Sequence, residues 1–433
     1  MEVYEKYKDS GEEWIGKVPS HWTFMKGRAI FQENQEINSG LQCNTVLSLS
    51  YGKIVIKKNI NEGLVPTEYN TYQIVHPNYI IIRCTDLQND KVSLRTAISK
   101  DYGIITEAYL GLVVNPRYSP DFMHYLLHAW DITKEIYRYG GGLRQSLSWV
   151  DIKNLPLYIP PIEEQLAIAR HLDAKTAEID TAIAQQQKMI DLLNERKRII
   201  IQKAVTQGLN SDVSMKSSGV DYIGSIPKHW ETCKLKNHLS LKGRIGWNGL
   251  RSEEFKETSY AYLVTGQDFN AASIDWSKCY QIDKQRYDED PYIQLRNGDL
   301  LITKDGTIGK IAKVIGMDKP ACLNSGIFVM KQKHSGIFTQ DFLYWYLSSG
   351  VLKDYNLYTN TGTTIQHLYQ NVFERMIMLI PPIEEQKSIS DYLESKCEEI
   401  DTTISKIHGL VSGLRERKQI IINEAVTGKI KIS

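Results

Sequence analysis

The amino-acid sequence predicts an α/β (α+β) protein in which two globular blocks alternate with two long helices paired as a coiled coil. Three observations carry that expectation: a duplication running through the 433 residues, a heptad pattern inside each duplicated segment, and turn-plus-strand signatures confined to the stretches between them. The expected organisation is a first block at 1–159, a long helix at 160–207, a second block at 208–380 and a second long helix at 381–433.

The duplication is read directly. Pro160-Pro161-Ile162-Glu163-Glu164-Gln165 recurs as Pro381-Pro382-Ile383-Glu384-Glu385-Gln386, a shift of 221 (381 against 160). At the same shift Glu195-Arg196-Lys197 matches Glu416-Arg417-Lys418, and Ala204-Val205-Thr206 matches Ala425-Val426-Thr427. About half of positions 160–206 are identical without a gap. A second pair precedes each copy: Ile15-Gly16-Lys17-Val18-Pro19-Ser20-His21-Trp22 and Ile223-Gly224-Ser225-Ile226-Pro227-Lys228-His229-Trp230. The blocks between these signatures share little identity. One frame holding two unlike inserts points to one task performed on two targets.

Each repeated segment predicts one long helix. Pro-Pro ends a strand and suits a first helical turn, Glu-Glu lies against the N-terminal dipole, and neither proline nor glycine interrupts 162–206. Ile179, Ile183, Ile190, Leu193, Ile200 and Ala204 step by four and three, as do Ile400, Ile404, Ile407, Val411, Leu414, Ile421 and Ala425. That is a heptad seam, with Gln186, Lys197 and Lys418 at polar seam positions. Gly409 and Gly413 weaken the second copy, each by about 1 kcal/mol relative to alanine.

Within the blocks, Val75–Arg83 and Leu295–Thr303 read as a turn followed by a buried strand, and Tyr109–Val114 and Asn324–Val329 as further strands. Asp121–Leu127 and Asp341–Leu347 read as capped amphipathic helices whose aromatic stripes belong to the core. The Ser-, Gly- and Asn-rich stretch 207–219 reads as a linker.

Composition narrows the function classes. Hydrophobic residues at 42% and charged residues at 24% describe a folded chain and exclude collagen-like or disordered character. No apolar run approaches the ~18 residues of a membrane span, and Met1–Lys6 carries no secretory pattern, so the expected location is the cytoplasm. Six scattered cysteines without a C-x-x-C argue against a zinc site. With 52 basic and 51 acidic side chains, a nucleic-acid surface must be local or shared with a partner.

Catalytic signatures are mostly absent. Gly306-Thr307-Ile308-Gly309-Lys310 resembles a phosphate loop, but Lys304 and Ile311 stand where glycine and Ser/Thr are needed. His21 and His229 lie in a repeated Pro-x-His-Trp turn, where packing is the expected role. The remaining polar candidates fall in three places. The first is Thr303, Lys304, Thr307 and Lys310 after a strand, with Arg83 opening the first block's counterpart, Arg83–Lys91, which lacks the glycines. The second is the run ending in Arg144, Gln145 and Ser146, with Thr363 and Gln366 in its counterpart. Arginine can fork onto guanine and glutamine onto adenine. The third is the acid-free stretch holding Lys234, Lys236, Lys242, Arg244 and Arg251, a candidate for tracking phosphates.

Taken together, the paired Pro-Pro-Ile-Glu-Glu-Gln openings, the Glu-Arg-Lys … Ala-Val-Thr endings, the Ile-Gly-x-x-Pro-x-His-Trp starts and Lys-Asp-Gly-Thr-Ile-Gly-Lys resemble the specificity subunit of type I restriction–modification systems, essentially end to end. The resemblance implies two target-recognition domains, each reading half of a bipartite double-stranded DNA site, and two helices packed antiparallel as a spacer. It implies two methyltransferase subunits and restriction (motor–nuclease) subunits as partners. S-adenosylmethionine, ATP and Mg2+ would sit on those partners, this chain binding no cofactor or metal and catalysing nothing. From the residues alone, a coiled-coil adaptor without DNA contact and an enzyme with unrecognised motifs stay open.

Overall fold

A computed structural model describes residues 2–57, 69–89, 94–142, 145–244, 249–359 and 367–432. The chain forms two compact units, Met1–Gln187 with His408–Ser433, and Lys188–Ile407. Each unit holds one of the blocks read from the sequence together with about half of each long helix.

In the first unit, strands β1 (Thr23–Lys26), β2 (Phe31–Glu33), β3 (Ile80–Arg83), β4 (Thr96–Ile98) and β5 (Tyr109–Val114) precede helix α1 (Pro120–Ile132) and strand β6 (Pro156–Ile159). Four of these make an antiparallel sheet in the order β2-β5-β3-β4, while β6 pairs with β1. Strand β3 is apolar at every core position because both of its faces are covered. Ile80 and Ile82 join the core that includes α1, and Ile81 packs with Leu47, Val75 and Ile105. Helix α1 starts where its sequence says: Ser119 accepts from Phe122 N–H at 3.3 Å and Pro120 occupies the first turn. The long helix α2 (Ile162–Gln207) follows β6 directly.

The second unit repeats the plan with β7 (Glu231–Lys234), β8 (Leu239–Lys242), β9 (Leu300–Thr303), β10 (Ile311–Lys313), β11 (Ile327–Gln332), helix α3 (Gln340–Ser348), β12 (Ile377–Ile380) and the long helix α4 (Ile383–Val426). The sheet order β8-β11-β9-β10 is the same antiparallel topology, and β12 pairs with β7. Leu300 and Ile302 face one core and Leu301 the other, as their counterparts do. A second, three-stranded sheet of Ala261–Val264, Tyr280–Ile282 and Ala321–Leu323 enlarges this block. The expected linker 207–219 contains a strand, Met215–Ser217, paired with Ser225–Pro227.

In each unit the start of one long helix lies with the end of the other, so the pairing is antiparallel. Ile168, Leu172 and Ile179 share a core with Ile421, Ile422 and Ala425 in the first unit; Ile201, Ala204 and Val205 share one with Ile389, Leu393 and Cys397 in the second. Ile179, Ile190, Ile400, Ile407, Val411 and Ile421 are buried, and Ile183, Leu193, Ile200, Ile404 and Leu414 half-buried, following the heptad pattern. The polar seam positions are used across the pair: Lys418 meets Asp180 and Lys197 meets Asp401, both at 2.6 Å. The two bridges are equivalent under the 221 shift, which is how lysine is accommodated in an apolar seam. Among the described residues, no helix is long and apolar enough to cross a membrane.

Candidate nucleic-acid interface

The repeated motifs first resolve into a structural joint, one per unit. Trp22, 1% exposed, donates its indole N–H to Glu164 at 3.0 Å, and His21 Nε2 lies 2.8 Å from the same carboxylate. Trp230 and His229 bind Glu385 in the same way, at 2.8 and 2.7 Å. The next residue fixes the short helix: Gln165 Oε1 accepts from the N–H of Ser119, and Gln386 Oε1 from that of Thr339, the residues that cap α1 and α3. Glycine closes the joint at the other helix's end. Gly428, at φ +71°, sits so close to Pro19 that a Cβ would fall 2.3 Å from its Cδ. Pro-Pro-Ile-Glu-Glu-Gln and Pro-x-His-Trp thus hold each block on the helical frame.

Beyond the joint, each unit carries a polar loop at the end of its central strand. Backbone geometry matches between them: Gly306 stands at φ +68° three residues after the start of its loop at Thr303, and Asp86 at φ +61° in the same place after Arg83. Aspartate replaces glycine at a left-handed position it can tolerate. The second polar place sits beside the first in both units, which the sequence did not reveal. Leu147 N–H donates to Cys84 O at 2.9 Å, and its counterpart Leu368 donates to Lys304 O at 3.0 Å. Leu87 N–H adds a bond to Gln145 O at 3.1 Å, and His367 Nδ1 contacts the Asp305 carboxylate.

Several candidates prove to hold the loops rather than to be offered by them. Thr303 is buried; its hydroxyl donates to Thr307 O and accepts from Lys310 N–H at 3.0 Å. Gln145 spends its amide nitrogen on Tyr137 O and Tyr139 O, at 2.7 and 3.0 Å, so the bidentate reading of adenine expected of it has lost its donor. Arg244 is 2% exposed and donates to Leu323 O at 3.0 Å, which removes it from the expected surface stretch. Beside it, burial pushes the Cys322 thiol up to about 11. Ser146 is half-buried and bridges to Gly141.

The others remain at the surface. Thr307, Lys310, Lys234, Lys236, Lys242 and Arg251 are exposed, Lys304 and Arg83 half-buried. Lys304 Nζ stands 4.9 Å from the centre of the Phe328 ring and Lys242 Nζ 5.2 Å from that of Tyr292, contacts that keep both charges available while orienting them. Arg144, Thr363 and Gln366 lie outside the described residues.

In the second unit the loop borders a cleft of about 500 Å³ lined by Thr303, Thr307 and Lys310 together with Thr265, Gln267 and Asn324. Phe255 and Tyr280 line it too, their rings stacked at 5.5 Å and 22°. Sequence reasoning missed Gln267, Tyr280 and Asn324. They come from separate strands and turns, and nothing local marks them; only the three-stranded sheet brings them to the loop. Among the described residues there is no group of three or more His, Cys, Asp or Glu able to hold a metal.

Two unlike loop-bearing blocks built on one repeated helical frame define a two-module protein. Residues 227–407 match the family model described as the type I restriction modification DNA specificity domain. Over that stretch and beyond it the chain is similar to the specificity subunits of type I restriction enzymes, the likeness its motifs implied. It is 28% identical over 287 residues to the type I restriction enzyme MjaVIII specificity subunit of Methanocaldococcus jannaschii; the match takes in 65% of this chain and 63% of that one, under two thirds of its length. In fold it is similar to a solved chain from a study of complex assembly and conformational transition of the type I R-M system, with a TM-score of 0.70 and 16% identity over 95% of this chain and 99% of that one. A second solved relative in fold is the HsdS subunit of Thermoanaerobacter tengcongensis, at TM-score 0.52 and 15% identity over 95% and 98%.

Proposed function

We propose that this chain is the DNA-specificity subunit of a type I restriction–modification complex. Each unit reads one half of a bipartite, asymmetric double-stranded site and brings partner adenine-methyltransferase and restriction subunits to it. The observation that carries this reading is the pair of strand-end loops. Their backbones are alike and braced by equivalent bonds, yet Arg83-Cys84-Thr85-Asp86 stands where Thr303-Lys304-Asp305-Gly306 does. Equal scaffolds with unequal side chains are what two different half-sites require, because base edges are read by side-chain donors and acceptors.

In the second unit, Lys310, Lys234, Lys236 and Lys242 supply exposed charge for phosphates, while Thr307, Gln267 and Asn324 suit base edges or bridging waters. The chain itself is the non-catalytic member. S-adenosylmethionine, ATP and Mg2+ belong to its partners, the adenine is flipped into a partner's site for methyl transfer, and the complex works in the cytoplasm.

Sequencing the methylated adenines of a host with and without this chain tests the reading. A split, asymmetric motif that disappears with the chain is the expected result. Adenine methylation by the purified chain alone would make it an enzyme instead. Absence of salt-dependent DNA binding by its complex with methyltransferase subunits would leave only a coiled-coil adaptor.

A further inference from the structure

The first block's loop lacks the glycines of the second, and a different device holds it. Topology locates that device. In the second block, Thr303 N–H donates to Lys310 O at 3.0 Å, closing the loop where β9 meets β10; in the first, Arg83 N–H donates to Arg95 O at 2.8 Å, where β3 meets β4. The structural counterpart of Lys310 is therefore Arg95, not a residue of 83–91, and the two cations are treated oppositely. Lys310 is exposed, whereas Arg95 is 0% exposed.

The buried guanidinium is spent on the loop's backbone. Its Nη1 donates to Arg83 O and Thr85 O at 3.3 and 2.8 Å, and its Nη2 to Asp86 O at 3.1 Å. With Cys84 O taken by Leu147, four successive carbonyls have internal donors. Arg95 is itself anchored. Its Nε donates to the Tyr137 hydroxyl at 3.3 Å, the guanidinium lies 5.5 Å from that ring's centre, and its backbone N–H donates to the buried Asp131 carboxylate at 2.5 Å. A planar fork of donors can satisfy carbonyls spaced along a bend in a way that a lysine ammonium cannot. Thr85 and Gln88 are left exposed on the loop so braced.

We propose that Arg95 is the positioning residue of the first block's DNA-reading loop, and that Thr85 and Gln88 are its specificity-determining side chains. The proposal rests on the function above and names the reading element of one half-site. Arg95 touches no DNA; it determines where the readers stand.

The test uses the complex with methyltransferase subunits, titrated on sites varied one base pair at a time at two salt concentrations. Arg95→Lys should lower discrimination in one half-site by about tenfold or more, leaving the other half-site and the salt slope unchanged. Gln88→Ala, at an exposed position, should lose preference at one of the same base pairs. Tyr137→Phe, which removes the hydroxyl that accepts from Nε, should give a smaller loss there and serves if Arg95→Lys does not fold. The proposal is overturned if Arg95→Lys lowers thermal stability while base preference is kept, or lowers the salt slope by about one as a phosphate contact would. It is equally overturned if Gln88→Ala and Tyr137→Phe both keep the wild-type preference. Failure of the parent complex to prefer any site would instead refute the functional reading itself.

Discussion

Two half-buried histidines on one helix should make the first unit sensitive to mild acid. His124 and His128 lie one turn apart on α1, their rings stacked at 5.8 Å. Burial first, and then neighbouring positive charge, hold them at about 3 and about 4, against an ordinary 6.5. Lys100 and His128 act on His124, and Lys418 acts on His128. Both folded values are depressed, so above pH 6.5 the pair is neutral in either state and stability is independent of its titration. Below that, the unfolded chain takes up protons the folded one refuses, and stability falls as pH drops toward 4.

At pH 5 each histidine would cost about 2 kcal/mol and the pair about 4, a large share of the ~5–15 kcal/mol typical of a domain. Asp131, also on α1, has its carboxyl raised by burial and works in the opposite direction, so the comparison must be between variants. Urea unfolding at pH 7 and pH 5, followed by hydrogen exchange of the α1 amides, should show the loss. His124→Leu with His128→Gln should remove most of its pH dependence, whatever it does to stability at pH 7. A wild-type unit equally stable at both pH values, or a double variant with the same loss, would refute the reasoning.

Exchanging residues 20–150 for another recognition block should change one half-site only, read from the methylated motif; simultaneous change of both halves would contradict two separate modules. Inserting four residues, about one turn or ~6 Å, after residue 185 or 406 should alter the spacer and keep both half-sites, and an unchanged spacer would remove the ruler role from the helices. Glu164→Ala strips the acceptor from Tyr4, His21 and Trp22, and should cost the first unit about 1–3 kcal/mol, since the buried indole N–H is left unpaired. A loss under about 0.5 kcal/mol in urea titration would show that the joint does not hold the block.

The duplication, the long helices and their seam were legible because they are local and periodic. A 3.5-residue apolar repeat can be counted without knowing its partner, and Pro-Pro-Ile-Glu-Glu-Gln announces a helix start by its own chemistry. Buried strands such as Ile80-Ile81-Ile82 were legible too, since a strand covered on both faces reads as a plain apolar run. What these motifs hold was not legible. Glu164 acts on Trp22, 142 residues away, and no spacing rule connects them.

The site divides in the same way. Residue type was enough to nominate Thr307, Lys310 and the lysines at 234–242, which the fold leaves exposed. Type alone could not separate Lys310 from its counterpart Arg95, or the exposed lysines from the buried Arg244. Whether a cation meets solvent or a row of carbonyls depends on which distant strand lies beside it. Gln145 carries the right groups for adenine, yet Tyr137 O and Tyr139 O claim its donor first. The sequence alone determined the periodic frame and the chemistry each side chain could offer. Tertiary structure decided which of that chemistry is spent inside, because hydrogen bonds and burial are settled between residues far apart in the chain.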